Sequence, residues 1–379
     1  MKIFLVTERR ADFSRFKPIL KLIEKEKKIN YQLVVTGLHL VRKHGYTINE
    51  ILSEKFKVYK KFKMFNEEYF IKNDGAEMSN ALGIAVCKLS KILKKSKPDL
   101  ILSGFDIAAN FAATICGAHM NIPVAHIQGG EVSGTIDESL RHGMSKFSNL
   151  HFTANNETRK RLIKMGEIPN HIYVVGCPSI DALKAEKLIP KKKILKKYNI
   201  DLLRPFSLVI QHPVTSELKD SEKQMKETIS ALRKIDIQHL IIFPNNDAGS
   251  NRILKMIKNS KLNYTPTLNL SEYKTLLTFC KILIGNSSSG IHEASTFKLP
   301  VINIGSRQNG RMKPKNIINV GHNRNQIYKA IKKGLSINFK KKIRNIINPY
   351  GDGNSSKKII KIIKSLKLKK LNTQKKITY

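Results

Sequence analysis

The 379-residue sequence predicts an α/β protein of two Rossmann-like, doubly wound halves with a cleft between them. Three observations lead there. Short apolar runs alternate with helix-patterned segments through roughly the first 180 residues. The same alternation restarts after a lysine-rich stretch. Polar and titratable residues collect just after the apolar runs of both halves, where ligands sit in open parallel sheets.

In the first half, residues 2–6, 32–36, 100–103, 123–127, 150–153 and 172–175 read as strands. Each is short, apolar and bounded by turn residues, as strands buried on both faces are. Residues 16–27, 76–94, 107–119 and 156–165 carry helical patterning between them. Such alternation implies a parallel sheet covered by helices. Gly176-Cys177-Pro178 closes this half, giving a first domain over 1–183, and lysine-rich residues 184–197 read as the linker. In the second half, 207–211, 240–243, 281–284 and 301–304 read as strands, and 222–234, 250–259, 270–279 and 290–297 as helices. This second domain spans 184–350. From 323 onward the chain reads as two or three basic helices. This whole stretch is expected to pack back across the cleft, with residues 351–379 a basic helix and tail whose last ten or so residues are frayed.

Composition narrows the function classes. No run of about 18 apolar residues occurs, so no membrane-spanning helix is expected. The N-terminus meets Lys2 and Glu8 too early for a signal peptide. Cys87, Cys116, Cys177 and Cys280 form no CxxC pair; a zinc site and a disulfide framework are not expected, and a reducing cytoplasm fits. A formal charge of +40 raises nucleic acid or membrane as partners. The lysines, however, are spread over most helices, lack interleaved aromatics, and accompany a general abundance of Ile and Asn. The composition therefore reads as drift, with neither nucleic acid nor membrane expected as a partner. A basic surface would still attract an anionic small molecule.

Three motifs carry chemistry. In HIQGGEVSGTIDESLRH (126–142) a strand runs into Gly129-Gly130 and then a helix start, with His126, Gln128, Glu131, Asp137, Glu138, Arg141 and His142 crowded around the turn. Glycines permit a close approach of ligand to backbone. Helix capping explains Asp137 singly, and an Arg141–Glu138 pair is a structural alternative, but neither explains the whole cluster. In IGNSSSGIHEA (284–294), Ser287 and Ser288 open a helix and suit a diphosphate, while Glu293 is placed to accept from ribose hydroxyls. In TERRADFSR (7–15), Arg9, Arg10 and Ser14 suit a phosphate at a βα turn. His39, Asp106, His212, Asn245 and Asp247 stand at further strand ends.

Together with QHPVT (211–215), FPNNDAGS (243–250) and GNSSSGIHEASTFKLPVINIGSRQNGR (285–311), these motifs resemble the hydrolysing UDP-N-acetylglucosamine 2-epimerases, which feed sialic and related nonulosonic acid pathways. The resemblance covers roughly residues 1–345. It implies a GT-B type fold, a homo-oligomer, no metal or nicotinamide cofactor, and UDP-N-acetylglucosamine as substrate. The implied reaction removes the C2 proton and UDP by anti elimination, leaving a 2-acetamidoglycal to which water adds to give N-acetylmannosamine. By motif position, Arg10, Ser287, Ser288, Glu293 and Arg307 would hold UDP. Asp106, Glu131, Glu138 and His212 would surround the sugar and handle protons. His39 and Arg141 would orient sugar and carboxylates, with Ser14, Gln128 and Asn245 completing the binding set.

Two departures from the family pattern stand out. Phe105-Asp106-Ile107 replaces a frequent Gly-Asp-Arg, and Gln128 stands where many members carry a carboxylate. A glutamine cannot exchange protons at neutral pH. Between apolar neighbours and without the arginine, Asp106 is expected to be partly desolvated, with a raised pKa suited to proton exchange. The departures make a UDP- or GDP-linked diacetamido-dideoxy hexose the alternative substrate, and a glycosyltransferase of the same fold the rival activity.

Overall fold

In the computed structural model, which describes residues 1–366, 371, 373–376 and 378, the chain builds two parallel sheets. The first contains β1 (Lys2–Thr7), β2 (Asn30–Val35), β3 (Val58–Lys61), β4 (Leu100–Gly104), β5 (Val124–Ile127), β6 (Leu150–Thr153) and β7 (Ile172–Val174), in the order β3-β2-β1-β4-β5-β6-β7. The second contains β8 (Phe206–Ile210), β9 (Gln238–Ile242), β10 (Tyr264–Thr265), β11 (Ile282–Gly285), β12 (Val301–Ile304) and β13 (Ile317–Val320), in the order β10-β9-β8-β11-β12-β13. Strand order reverses between β1 and β4 (Ile3 beside Leu100) and between β8 and β11 (Ile210 beside Gly285). These are the switch points at which open sheets bind ligands.

The central strands are apolar because helices cover both faces: Ile3, Phe4, Leu5 and Val6 of β1 are all buried. The edge strands β3, β10 and β13 have no counterpart among the strands expected from the sequence. The β3 run Val-Tyr-Lys-Lys is mostly exposed, and β13 is only half-buried, so neither has the continuous apolar run that betrays a central strand. Lysines on such an edge also discourage pairing with another chain.

Three expectations are corrected. The first helix starts at Arg10, not at 16, because the Asp12 carboxylate accepts from the backbone N–H groups of Glu8 (2.9 Å) and Arg9 (2.8 Å) and caps the turn. The lysine-rich segment 184–197 is not a simple linker. It contains a helix, Lys191–Lys197, whose Ile194 and Leu195 pack with Leu183, Phe206 and Leu277 while the lysines form its solvent face. The helix expected over 290–297 is two pieces, Ser288–His292 and a 3-10 turn Ala294–Phe297.

The chain beyond 323 forms helices Arg324–Leu335, Ile337–Ile343 and Ser355–Ser365. The last returns to the first half. Asp181 accepts from the N–H groups of Ser355 (3.1 Å) and Ser356 (2.7 Å), and Ile359, Ile360 and Ile363 enter the core containing Phe16 and Leu20. Each such isoleucine contributes about 1.5–3 kcal/mol by burial. Of the last ten residues, expected to be frayed, 370, 372, 377 and 379 lie outside the described residues, while Lys375 donates to the Ser145 carbonyl at 2.8 Å and pairs with Glu167. Among the described residues, no helix is long and apolar enough to cross a membrane.

Candidate active site

The carboxyl ends of β1, β4 and β5 face those of β8, β9, β11 and β12 across a polar cavity. On the first wall, the chain leaves β4 through Phe105 (φ +72°) and Asp106 (φ +56°), both left-handed and both unusual for residues with a Cβ. Arg141, from the helix Ile136–Phe147, grips Asp106 with two parallel bonds, Nε to Oδ1 at 2.7 Å and Nη2 to Oδ2 at 2.5 Å. Its Nη1 donates to the carbonyl of Glu131 at 2.9 Å. The expectation of an arginine-free, isolated Asp106 is therefore corrected. A buried guanidinium 35 residues away in sequence occupies both of its oxygens and ties the β4 and β5 loops together. The same contact displaces the alternative pairing of Arg141 with Glu138.

Beyond β5, the left-handed Gln128 (φ +62°) and Gly130 (φ +77°) turn the chain toward Glu131. The glycines here serve packing within the protein. A Cβ on Gly130 would run into the Thr158 carbonyl, and one on Gly134 into the Ser306 carbonyl across the cleft. The Gly134 N–H instead donates to the carbonyl of Arg307 at 3.1 Å, bringing the two halves together. Glu131 is buried, with Oε2 3.9 Å from His292 Nε2 and 4.0 Å from Arg311 Nε, and with no hydrogen-bond partner on Oε1. Burial acts to raise its pKa, but His292, Arg311 and Arg141 outweigh it and hold the carboxyl below the ordinary range. The group is an ionised carboxylate with one oxygen uncommitted.

On the second wall, His212 Nδ1 accepts from the Asn245 N–H at 3.0 Å, which assigns the ring proton to Nε2. Burial, reinforced by Arg307 and Arg9, pushes its pKa well below the usual histidine value, so the ring is a neutral donor. Asn286 brackets its backbone, accepting from the N–H (2.7 Å) and donating to the carbonyl (2.9 Å). Ser287 caps the short helix Ser288–His292, and both Ser287 and Ser288 line the cavity. Arg307 lies 3.6 Å from Asp137 of the opposite wall and leaves its Nε unpartnered. Gln308 and Arg311 donate to the carbonyls of Asn286 and Val132, each at 2.8 Å. Among the described residues, no group of three or more His, Cys, Asp or Glu side chains is placed to hold a metal ion. What the arrangement offers is anion-binding donors in one cavity with an ionised carboxylate that keeps one oxygen unpartnered.

A sequence profile of the family described as UDP-N-acetylglucosamine 2-epimerase matches residues 21–364. The chain belongs to that family. Over 373 residues (97% of this chain and 96% of the relative) it is 33% identical to a UDP-N,N'-diacetylbacillosamine 2-epimerase (hydrolyzing) of Legionella pneumophila. Over 341 residues (89% and 88%) it is 31% identical to a UDP-N-acetylglucosamine 2-epimerase of Neisseria meningitidis. The fold matches a crystal structure of UDP-GlcNAc 2-epimerase from Neisseria meningitidis bound to UDP-GlcNAc, with a TM-score of 0.82 at 19% identity, covering 97% of this chain and 100% of that one. The architecture is thus the two-domain, GT-B-like one of these epimerases.

Of the residues singled out in the sequence of this epimerase-family chain, Asp106, Gln128, Glu131, Arg141, His212, Asn245, Ser287, Ser288 and Arg307 line the cavity. Five others are engaged elsewhere. Arg10 pairs with Glu50 and Thr267 in a second cleft shared with Thr265 and Asn269, while its neighbour Arg9 reaches the cavity. Ser14 bonds back to the Ala11 carbonyl at 2.9 Å. His39 is held between Thr7 (3.0 Å) and Thr47 (2.6 Å), and burial pushes its pKa down to about 3. Glu138 accepts from the Ser133 N–H at 2.6 Å, and Glu293 from the Ser289 hydroxyl at 2.7 Å. The cavity also takes Arg15, His292, Gln308 and Arg311, which sequence reasoning passed over although the motifs contain all four. A lone cation or histidine inside a helix or loop pattern gives no sign of which way it points.

Proposed function

We propose that the chain is a hydrolysing sugar-nucleotide 2-epimerase, converting UDP-N-acetylglucosamine and water to N-acetylmannosamine and UDP by anti elimination and hydration. The observation that carries this reading is a single cavity lined both by Glu131, a carboxylate with one oxygen unpartnered, and by the donors Ser287, Ser288 and Arg307. The diphosphate sits against those donors, which stabilise the charge that develops as the C1–O bond breaks. Glu131 accepts the C2 proton, and the C2–H electron pair forms the C1=C2 bond of the glycal. The His212 Nε2–H donates to the departing phosphate oxygen or to the sugar. Water then adds its hydroxyl to C1, and a proton returns to C2 on the opposite face. The Arg141–Asp106 pair holds the two loops that frame the sugar.

The Legionella relative, named as hydrolyzing and matched over 97% of this chain, favours hydrolysis over release of an epimerised sugar nucleotide. The same relative supports a second reading of the substrate as a diacetamido hexose. The test is incubation with UDP-N-acetylglucosamine alone, with products separated and weighed by mass spectrometry. Free N-acetylmannosamine and UDP are expected. UDP-N-acetylmannosamine as product would overturn the hydrolysing reading, and turnover only with an added acceptor would point to a glycosyltransferase.

A further inference from the structure

On the proposed reading of the site, elimination leaves Glu131 carrying the C2 proton, and the proton that returns to C2 arrives on the opposite face. Glu131 must therefore discharge its proton elsewhere before the next turnover. It is buried, and its ion-pair neighbours among the described residues are two: Arg311 at 4.0 Å and His292 Nε2 at 3.9 Å. A guanidinium stays protonated and accepts nothing, which also disqualifies Arg141 and Arg15, the other cations acting on this pair. The nearby Tyr350 phenol is spent on the Met312 carbonyl at 2.8 Å, and burial beside Glu131 keeps it protonated. His292 is the neighbour that can take a proton.

His292 lines the cavity, and although the ring is buried neither of its nitrogens has a hydrogen-bond partner among the described residues. Buried polar atoms are nearly always paired, so an imidazole left bare on both sides calls for a task. Burial pushes its pKa below the usual histidine value, so the ring rests neutral with one lone pair open. Its place is fixed from behind: Asn348 Nδ2 donates to the His292 carbonyl at 2.8 Å, and the ring packs on Tyr350 with centroids 4.5 Å apart. The Cys177 N–H in turn donates to the Tyr350 carbonyl at 2.7 Å, tying this segment to the first half. An imidazole of the second half is thus held beside a carboxylate of the first. We propose that His292 relays the C2 proton away from Glu131. The O–H bond of the protonated carboxyl breaks, the proton binds Nε2, and a carboxylate and an imidazolium remain. The imidazolium releases the proton to solvent as product leaves. A small closure of the cleft brings the pair to hydrogen-bond length, as contacts in unliganded sites tighten around substrate.

Rapid-quench kinetics with UDP-N-acetylglucosamine separates a relay from a structural role. His292→Gln keeps a polar partner for the carboxylate but cannot take up a proton. His292→Phe keeps a ring against Tyr350. In both, UDP affinity is expected to match the wild type, and the first turnover is expected to proceed as a burst of UDP equal in amount to the enzyme. The steady rate that follows is expected to fall about 100-fold or more. Small buffer bases at rising concentration are expected to restore that rate in His292→Gln and to leave the wild-type rate unchanged. A near-wild-type steady rate in His292→Gln, or a burst lost in step with the steady rate in both variants, overturns the relay. Loss of UDP affinity in both variants makes His292 a structural residue and overturns it too. No UDP release by the wild-type protein would overturn the reaction itself, whereas the relay alone fails when the wild type turns over and the variants behave in one of those ways.

Discussion

The two walls of the cavity hold their polar groups in opposite ways. On the first wall the carboxylates of Asp106 and Asp12 are already satisfied within the protein, the one by Arg141 and the other by two backbone N–H groups. On the second, Arg307 Nε and Asn245 Oδ1 are buried without a partner. A buried polar group left unpaired costs about 1–3 kcal/mol, so a wall that retains such groups is built to receive a polar ligand. Glu131 is the exception on the first wall, a carboxylate with one oxygen uncommitted among fixed neighbours. The difference suggests a division of labour in which the second half grips the diphosphate and the first half positions one base against the sugar.

Glu131→Gln tests that division most severely. It keeps the shape and removes the base, so turnover is expected to fall about 100-fold or more, while UDP binding, followed by titration calorimetry, stays unchanged. Loss of UDP affinity in parallel with turnover would erase the distinction between the walls. The complementary change, Ser287→Ala with Ser288→Ala, should do the reverse. Hydrogen bonds to a charged group contribute about 1.5–3 kcal/mol each, so the UDP inhibition constant is expected to rise at least tenfold, with a smaller effect on kcat. An unchanged inhibition constant in the folded double variant would remove this loop from the diphosphate site.

The sequence made the frame of this comparison legible, but not all of its details. Central strands such as β1 and β11 show as apolar runs because both faces are buried, whereas the half-exposed β3 and β13 leave no such trace. Polar motifs at strand ends drew attention to Asp106, Glu131, His212 and Ser287, and all four line one cavity. The choice between Arg9 and Arg10 was beyond sequence reading. Neighbouring residues at a helix start point in different directions, and the start is set by the Asp12 cap. The Arg141–Asp106 pair was also hidden, since it joins two loops that only the folded sheet brings together. Lysines at 191–193 and 196–197 concealed a helix because they are its outer face.

The central claim is that the C2–H bond is broken on the first wall as the diphosphate leaves from the second. Turnover of UDP-N-acetylglucosamine in D₂O, with the released sugar examined by NMR and mass spectrometry, tests it directly. The account expects free N-acetylmannosamine carrying one deuterium at C2. A free sugar that keeps its original hydrogen at C2 would contradict it.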